Sequence, residues 1–149
     1  MPTKILEAVY RGRHEELATL LSAGPALTIC EAAAVGDARR VRELIDADPG
    51  VLGQHSDDGW TALHLAAHFG RVDVVGVLLA RGARSDATQN GGFTALHEAA
   101  FKNDLGLANL LLVHGANLTL RTNDGETAEA IATRLGHTQF ARRLRGELA

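Results

Sequence analysis

At 149 residues the chain is long enough for one folded domain with a core of its own. Hydrophobic residues at 46% and charged residues at 22% suit a soluble globular protein, and aromatics at 4% leave most packing to alanine and leucine. A net charge of -3, with acids and bases mixed along the chain, argues against a protein built mainly to grip nucleic acid, and a single cysteine, Cys30, excludes an internal disulfide.

The chain opens with MPTKILEAVYRGRHEE, which holds no apolar run long enough for a signal peptide. No stretch approaches the length of a membrane span. The expectation is a cytoplasmic protein with no membrane partner. A lone cysteine suits a reducing compartment.

The first segment, ILEAVYRGRHEELATLLSAG (5–24), reads as two short helices around Gly12. The second, ICEAAAVGDARRVRELIDADPG (29–50), repeats that form around Gly36, 24 residues later. The third begins at Asp57 with DDGWTALHLAAHFG, and the fourth at Asn90 with NGGFTALHEAAFKN. The last begins at Asn123 with NDGETAEAIATRLG. Thr61, Thr94 and Thr127 stand 33 apart, whereas aligning Ala32-Ala33 with Ala66-Ala67 gives 34, one loop residue more. Five units result, at about 3–25, 26–55, 56–88, 89–121 and 122–149, and they leave no room for a second domain.

Each unit has one grammar. An apolar run with paired alanines (Leu63, Leu65, Ala66, Ala67) ends at a glycine such as Gly70. A second run follows at helical spacing (Val74, Val75, Leu78, Leu79) and ends at Gly82, as a helix C-terminal glycine would. Asp58-Gly59, Gly91-Gly92 and Asp124-Gly125 then favour tight hairpin-like turns. The unit is helix, turn, helix, and an extended finger. Its end copies carry the polar faces expected of caps: Lys4, Glu7, Arg11, Arg13, His14, Glu15 and Glu16 in the first, and Glu126, Glu129, Arg134, Arg142, Arg143 and Arg145 in the last.

His64 and His68 share a helix face, four apart, as the two histidines of a zinc hydrolase helix do. Leu65 fills the place of the general-base glutamate, and the next unit has His97 and Glu98 but Phe101 in place of a second histidine. Cys30, His64 and His97 occupy equivalent places, but stacked helices lie about 8–10 Å apart. That is too far for one metal ion. Thr61 and Thr94 read instead as helix N-caps, with His64 and His97 three residues on, where a capping box puts Glu or Gln. A neutral imidazole both donates and accepts, so it can bond the threonine and tie the finger in place. Cys30 has no catalytic partner, and no nucleophile elbow or phosphate loop occurs, so no enzyme, metal or cofactor is expected.

The pattern G-x-T-A-L-H-x-A-A followed by V-V-x-x-L-L-x-x-G-A resembles the ankyrin repeat. Ala62, Ala95 and Ala128 stand where that family prefers proline, and Cys30 stands at its histidine position. Gly76 and Gly106 fall inside second helices, where glycine costs about 1 kcal/mol relative to alanine, and this argues against an idealised consensus design. The resemblance implies an all-α solenoid of stacked helix-turn-helix units with β-hairpin-like fingers. It implies a structural role for Thr61, His64, Thr94 and His97, and partner contact through a concave face.

With the threonine as position six, Trp60 and Phe93 fall at position five, Tyr10 and Phe101 at thirteen, and Phe69 at fourteen, all positions that the resemblance turns toward partners. Only Phe140 falls at a second-helix core position. Aromatics are enriched at binding hot spots. They can also pack onto neighbouring fingers and firm up the stack. His68, Lys102, Asp57, Asp58, Asn90, Asn123 and Arg121 would form a mixed polar rim. The expected function is a non-catalytic, monomeric module that binds a protein partner. The alternatives are an engineered or ancestral scaffold without a natural partner, and a metal-dependent hydrolase using His64 and His68.

Overall fold

The computed structural model describes residues 2–147, so the last two positions of the expected closing unit lie outside the described residues. The chain divides into two compact units, residues 1–83 and 84–149. The first contains α1 (Lys4–Tyr10), α2 (His14–Ser22), α3 (Ile29–Val35), α4 (Ala38–Ala47), a 3-10 turn (Pro49–Gly53), α5 (Ala62–His68) and α6 (Val72–Ala80). The second contains α7 (Ala95–Lys102), α8 (Leu105–Val113), α9 (Ala128–Arg134) and α10 (Thr138–Leu144). This is the all-α repeat architecture that the sequence implies.

Alanine sets the packing of the first helices. In the first unit α3 lies against both α1 and α5, and in the second α7 lies against α9. Ala32, Ala33, Ala66, Ala99, Ala100 and Ala132 are fully buried. Their lack of bulk lets backbones approach closely, and each buried methyl adds apolar area removed from water. The second helices supply larger side chains: Val74, Val75, Leu78 and Leu79 are all buried, as their spacing predicts. Phe140 on α10 is the one aromatic among the described residues that is fully buried.

The turn glycines recur with the same pair of bonds after every helix that ends in one except α2, where Pro25 has no N–H for the second bond. At the end of α6, Gly82 N–H bonds Leu79 O at 3.1 Å and Ala83 N–H bonds Leu78 O at 2.9 Å. That pairing needs a left-handed residue between them, and Gly82 supplies it with φ +94°. Asn103 takes the same role after α7 with φ +55°.

The fingers are hairpin turns rather than strands. Ser56 N–H bonds Trp60 O at 2.7 Å, Gln89 N–H bonds Phe93 O at 2.9 Å, and Thr122 N–H bonds Glu126 O at 2.9 Å. Within the second unit the two fingers are joined, Asn123 N–H donating to Gly91 O at 2.7 Å. The loop after α4, where one extra residue is expected, forms the 3-10 turn, capped by Asp48 on Gly50 N–H.

Gly76 gives a direct test of propensity. It lies inside α6, and a methyl added there would meet no atom within 4 Å. Gly76→Ala is expected to raise stability by about 0.5–1 kcal/mol, read as a higher denaturant midpoint at unchanged slope. A lower midpoint would show that the helix needs the gap.

Candidate functional site

Thr61 caps α5 and accepts from His64 N–H at 3.3 Å, while His64 Nδ1 lies 2.7 Å from Thr61 Oγ1. Thr94 repeats this before α7. Its N–H donates to His97 Nδ1 at 3.0 Å, and its hydroxyl lies 2.8 Å from the same nitrogen. An Nδ1 that accepts from a backbone N–H carries no proton, so the proton of the neutral ring resides on Nε2. Nε2 then donates to Leu120 O at 3.1 Å and Glu126 O at 3.2 Å. His97 therefore ties α7 to the following finger. Both imidazoles are buried, and burial pushes the His97 pKa below its usual value.

The second repeat does this work with two residues instead of one. Thr28 caps α3, and Glu31 closes the capping box: Thr28 N–H donates to its carboxylate at 2.8 Å and Glu31 N–H donates to Thr28 Oγ1 at 3.2 Å. Counted from the cap, Glu31 rather than Cys30 is the equivalent of His64. Yet the Cys30 thiol lies 3.8 Å from Trp60 O and 4.0 Å from Gln54 O, the counterparts of the carbonyls that His97 meets. There is one residue fewer between Thr28 and Gly36 than between Thr61 and Gly70, so cap and finger contact fall on neighbours. Burial and the Glu31 charge push the Cys30 pKa up to about 11, the opposite of what a nucleophile requires.

The aromatics gather beside these anchors. In the first unit Trp60 packs edge-to-face on His68 at 5.2 Å, His68 on Phe69 at 4.8 Å, and Phe69 on Tyr10 at 5.9 Å. All four are half-buried. The Tyr10 hydroxyl lies beside Ser56 and Asp58, and burial, then the Asp58 charge, raise its pKa. Asp57 is exposed at the finger tip and Asp58 is half-buried. In the second unit Phe93 packs on Phe101 at 5.7 Å, and Phe93 also meets His97 at 6.0 Å. Phe101 is exposed, as are Lys102, Asn90, Asn123 and Arg121. The Arg121 guanidinium closes its own finger on Gly125 O at 2.7 Å.

The two histidines of the first unit thus have separate surroundings. His64 is buried at its cap, and His68 stands between Trp60 and Phe69. Among the described residues no group of three or more His, Cys, Asp or Glu side chains converges as a metal site.

Sequence reasoning missed a second tie. Arg71 Nε donates to Ala34 O at 3.0 Å and His137 Nδ1 bonds Ala100 O at 2.9 Å. Each residue follows the turn glycine and reaches back to the end of the preceding repeat's first helix. Asp37 and Asp104 hold the matching places but carry no donor, and they cap their own helices on Arg40 N–H and Leu107 N–H, both at 2.9 Å. A donor and an acid trade this position along the chain, a signal that the 33-residue alignment contains.

A family model for ankyrin repeats, in three copies, matches residues 29–122. The chain is 43% identical over 53 residues to ankyrin repeat domain-containing protein 40 of Mus musculus, and 43% identical over 53 residues to the protein of that name in Homo sapiens. Each match covers 36% of this chain, but 15% of the mouse protein and 14% of the human one, so the chain spans a small part of these relatives. No helix among the described residues is long and apolar enough to cross a membrane.

Proposed function

We propose that this chain, which belongs to the ankyrin repeat family, is a non-catalytic module that binds a protein partner through aromatic faces at its fingers and first helices. Ankyrin repeats are generally protein-interaction modules and generally not enzymes. The observation that carries the finer reading is the distribution of aromatic side chains. Phe140 is sealed in the core, while the five others lie half-buried or exposed beside the fingers. A hydrophobic ring left at the surface keeps apolar area that a partner can remove from water. Ring-on-ring packing holds these side chains in place, so less rotamer entropy is lost on binding. The polar residues Asp57, Asp58, Asn90 and Lys102 lie on the same fingers and helix ends and would supply the rim. A monomer in a reducing, cytoplasmic setting, with no nucleic-acid or membrane partner, completes the proposal.

The test uses Trp60→Ala and Phe101→Ala, singly and together. Proteins retained from cell extract by the parent chain should bind the double variant at least about thirtyfold more weakly, the scale of a hot-spot loss. Each substitution should cost no more than about 1.5 kcal/mol of stability beyond its lost area, the scale of one ring contact. Retention of the same proteins by the double variant at parental affinity would overturn the reading.

A further inference from the structure

We infer that Asn90-Gly91 is a site of spontaneous modification, at which Asn90 loses its amide and the finger at 89–93 is remodelled. The chemistry needs the next residue's backbone nitrogen to reach the asparagine side chain. The Gly91 nitrogen bonds to Asn90 Cγ, the Cγ–Nδ2 bond breaks, and Nδ2 leaves as ammonia with the amide proton. Water then opens the five-membered imide. Attack at the side-chain carbonyl yields aspartate, and attack at the backbone carbonyl yields isoaspartate. One water is consumed and one ammonia released, with no oxidant or reductant.

A side chain on the following residue hinders this closure, and of the five asparagines only Asn90 precedes a glycine. Asn90 is exposed at the finger tip. With Gly91 it forms the centre of a turn closed by Gly92 N–H on Gln89 O at 3.0 Å, and Gly91 takes φ +87°. The other four are followed by Asp or Leu, whose side chains hinder the closure. Asn103 caps α7 in the left-handed region, Asn109 accepts from Arg143 at 2.8 Å, and Asn117 Oδ1 accepts from Thr119 N–H at 2.9 Å. Asn123 is bonded through its own N–H to Gly91 O.

The two products differ in consequence. Aspartate leaves the backbone unchanged, and Asp57 already holds the equivalent place in the preceding finger. Isoaspartate routes the main chain through Cβ, lengthening it between Gln89 and Gly91. The turn bond and the Gly91 O to Asn123 N–H bond depend on that length. Gly92 leaves little slack, because even a methyl there would lie 2.8 Å from Asn123 Oδ1. The isoaspartyl form therefore releases the link between the two fingers of the second unit.

The full chain is incubated at mildly alkaline pH and mapped by peptide mass spectrometry, with isoaspartate detected by enzymatic methylation. The expected result is conversion at Asn90 ahead of all other asparagines, absent in Asn90→Gln. An intact Asn90 at the time when a free peptide of residues 86–96 has fully converted would overturn the site. The finger is tested separately by amide exchange at Asn123. Exchange should quicken at least about tenfold in the isoaspartyl fraction and stay unchanged in Asn90→Asp. Unchanged protection in the isoaspartyl fraction would overturn the remodelling.

Discussion

Phe140→Ala is expected to lower the unfolding free energy by about 3–5 kcal/mol, the range for deleting a buried ring and leaving its cavity. The ring is fully buried on α10, a helix of seven residues whose other buried side chains are Ala141 and Leu144. A helix this short has little stability of its own, so its packing face holds it in place. Removing most of that face should free α10 before the rest of its unit, seen as rapid amide exchange across 138–144 and a lower urea midpoint. Phe101→Ala is the matched comparison in the same unit. That ring is exposed and meets Phe93 alone among the aromatics, so its loss should cost much less. Equal costs would mean that the exposed ring is core in solution, and the distinction between packing and binding aromatics would fail.

The contrast between a buried Phe140 and an exposed Phe101 is legible in the sequence because it is local. Phe140 follows the apolar spacing of a second helix, and Phe101 follows a pair of alanines at the end of a first helix. The threonine caps, the turn glycines and the alanine runs are local in the same way. Each acts within a few residues of itself, so a 33-residue period displays them directly. The order of the rings was not legible. Tyr10 meets Phe69 across a separation of 59 residues, and only the packing of α1, α3 and α5 decides that they touch. The division of labour between Cys30 and Glu31 was hidden differently. Aligning the alanines places Cys30 opposite His64, aligning the threonines places Glu31 there, and the structure uses both registers at once. The ties from Arg71 and His137 were hidden because the acceptor is a backbone carbonyl, which no side-chain identity marks.

His97→Ala is expected to cost about 2–4 kcal/mol, because it strands buried polar groups rather than removing one contact. The imidazole accepts from Thr94 N–H and donates to the carbonyls of Leu120 and Glu126, so its loss unties a helix start and a finger together. The pH dependence gives the sharper readout. Burial lowers the folded-state pKa from the ordinary value of 6.5. In the unfolded chain the ring takes a proton as the pH falls through 6.5, while the folded ring still refuses it. The unfolded state then binds more protons, so stability falls with falling pH. The contribution is complete above the unfolded pKa and is lost as pH drops from there toward the lowered folded value. His97→Gln lacks the titrating group, so its deficit relative to the parent should be greatest near neutral pH and shrink on acidification. Urea unfolding of both proteins between neutral and mildly acidic pH measures the gap. A gap that widens as the pH falls would mean that the folded ring is charged, contrary to an Nδ1 that accepts from Thr94.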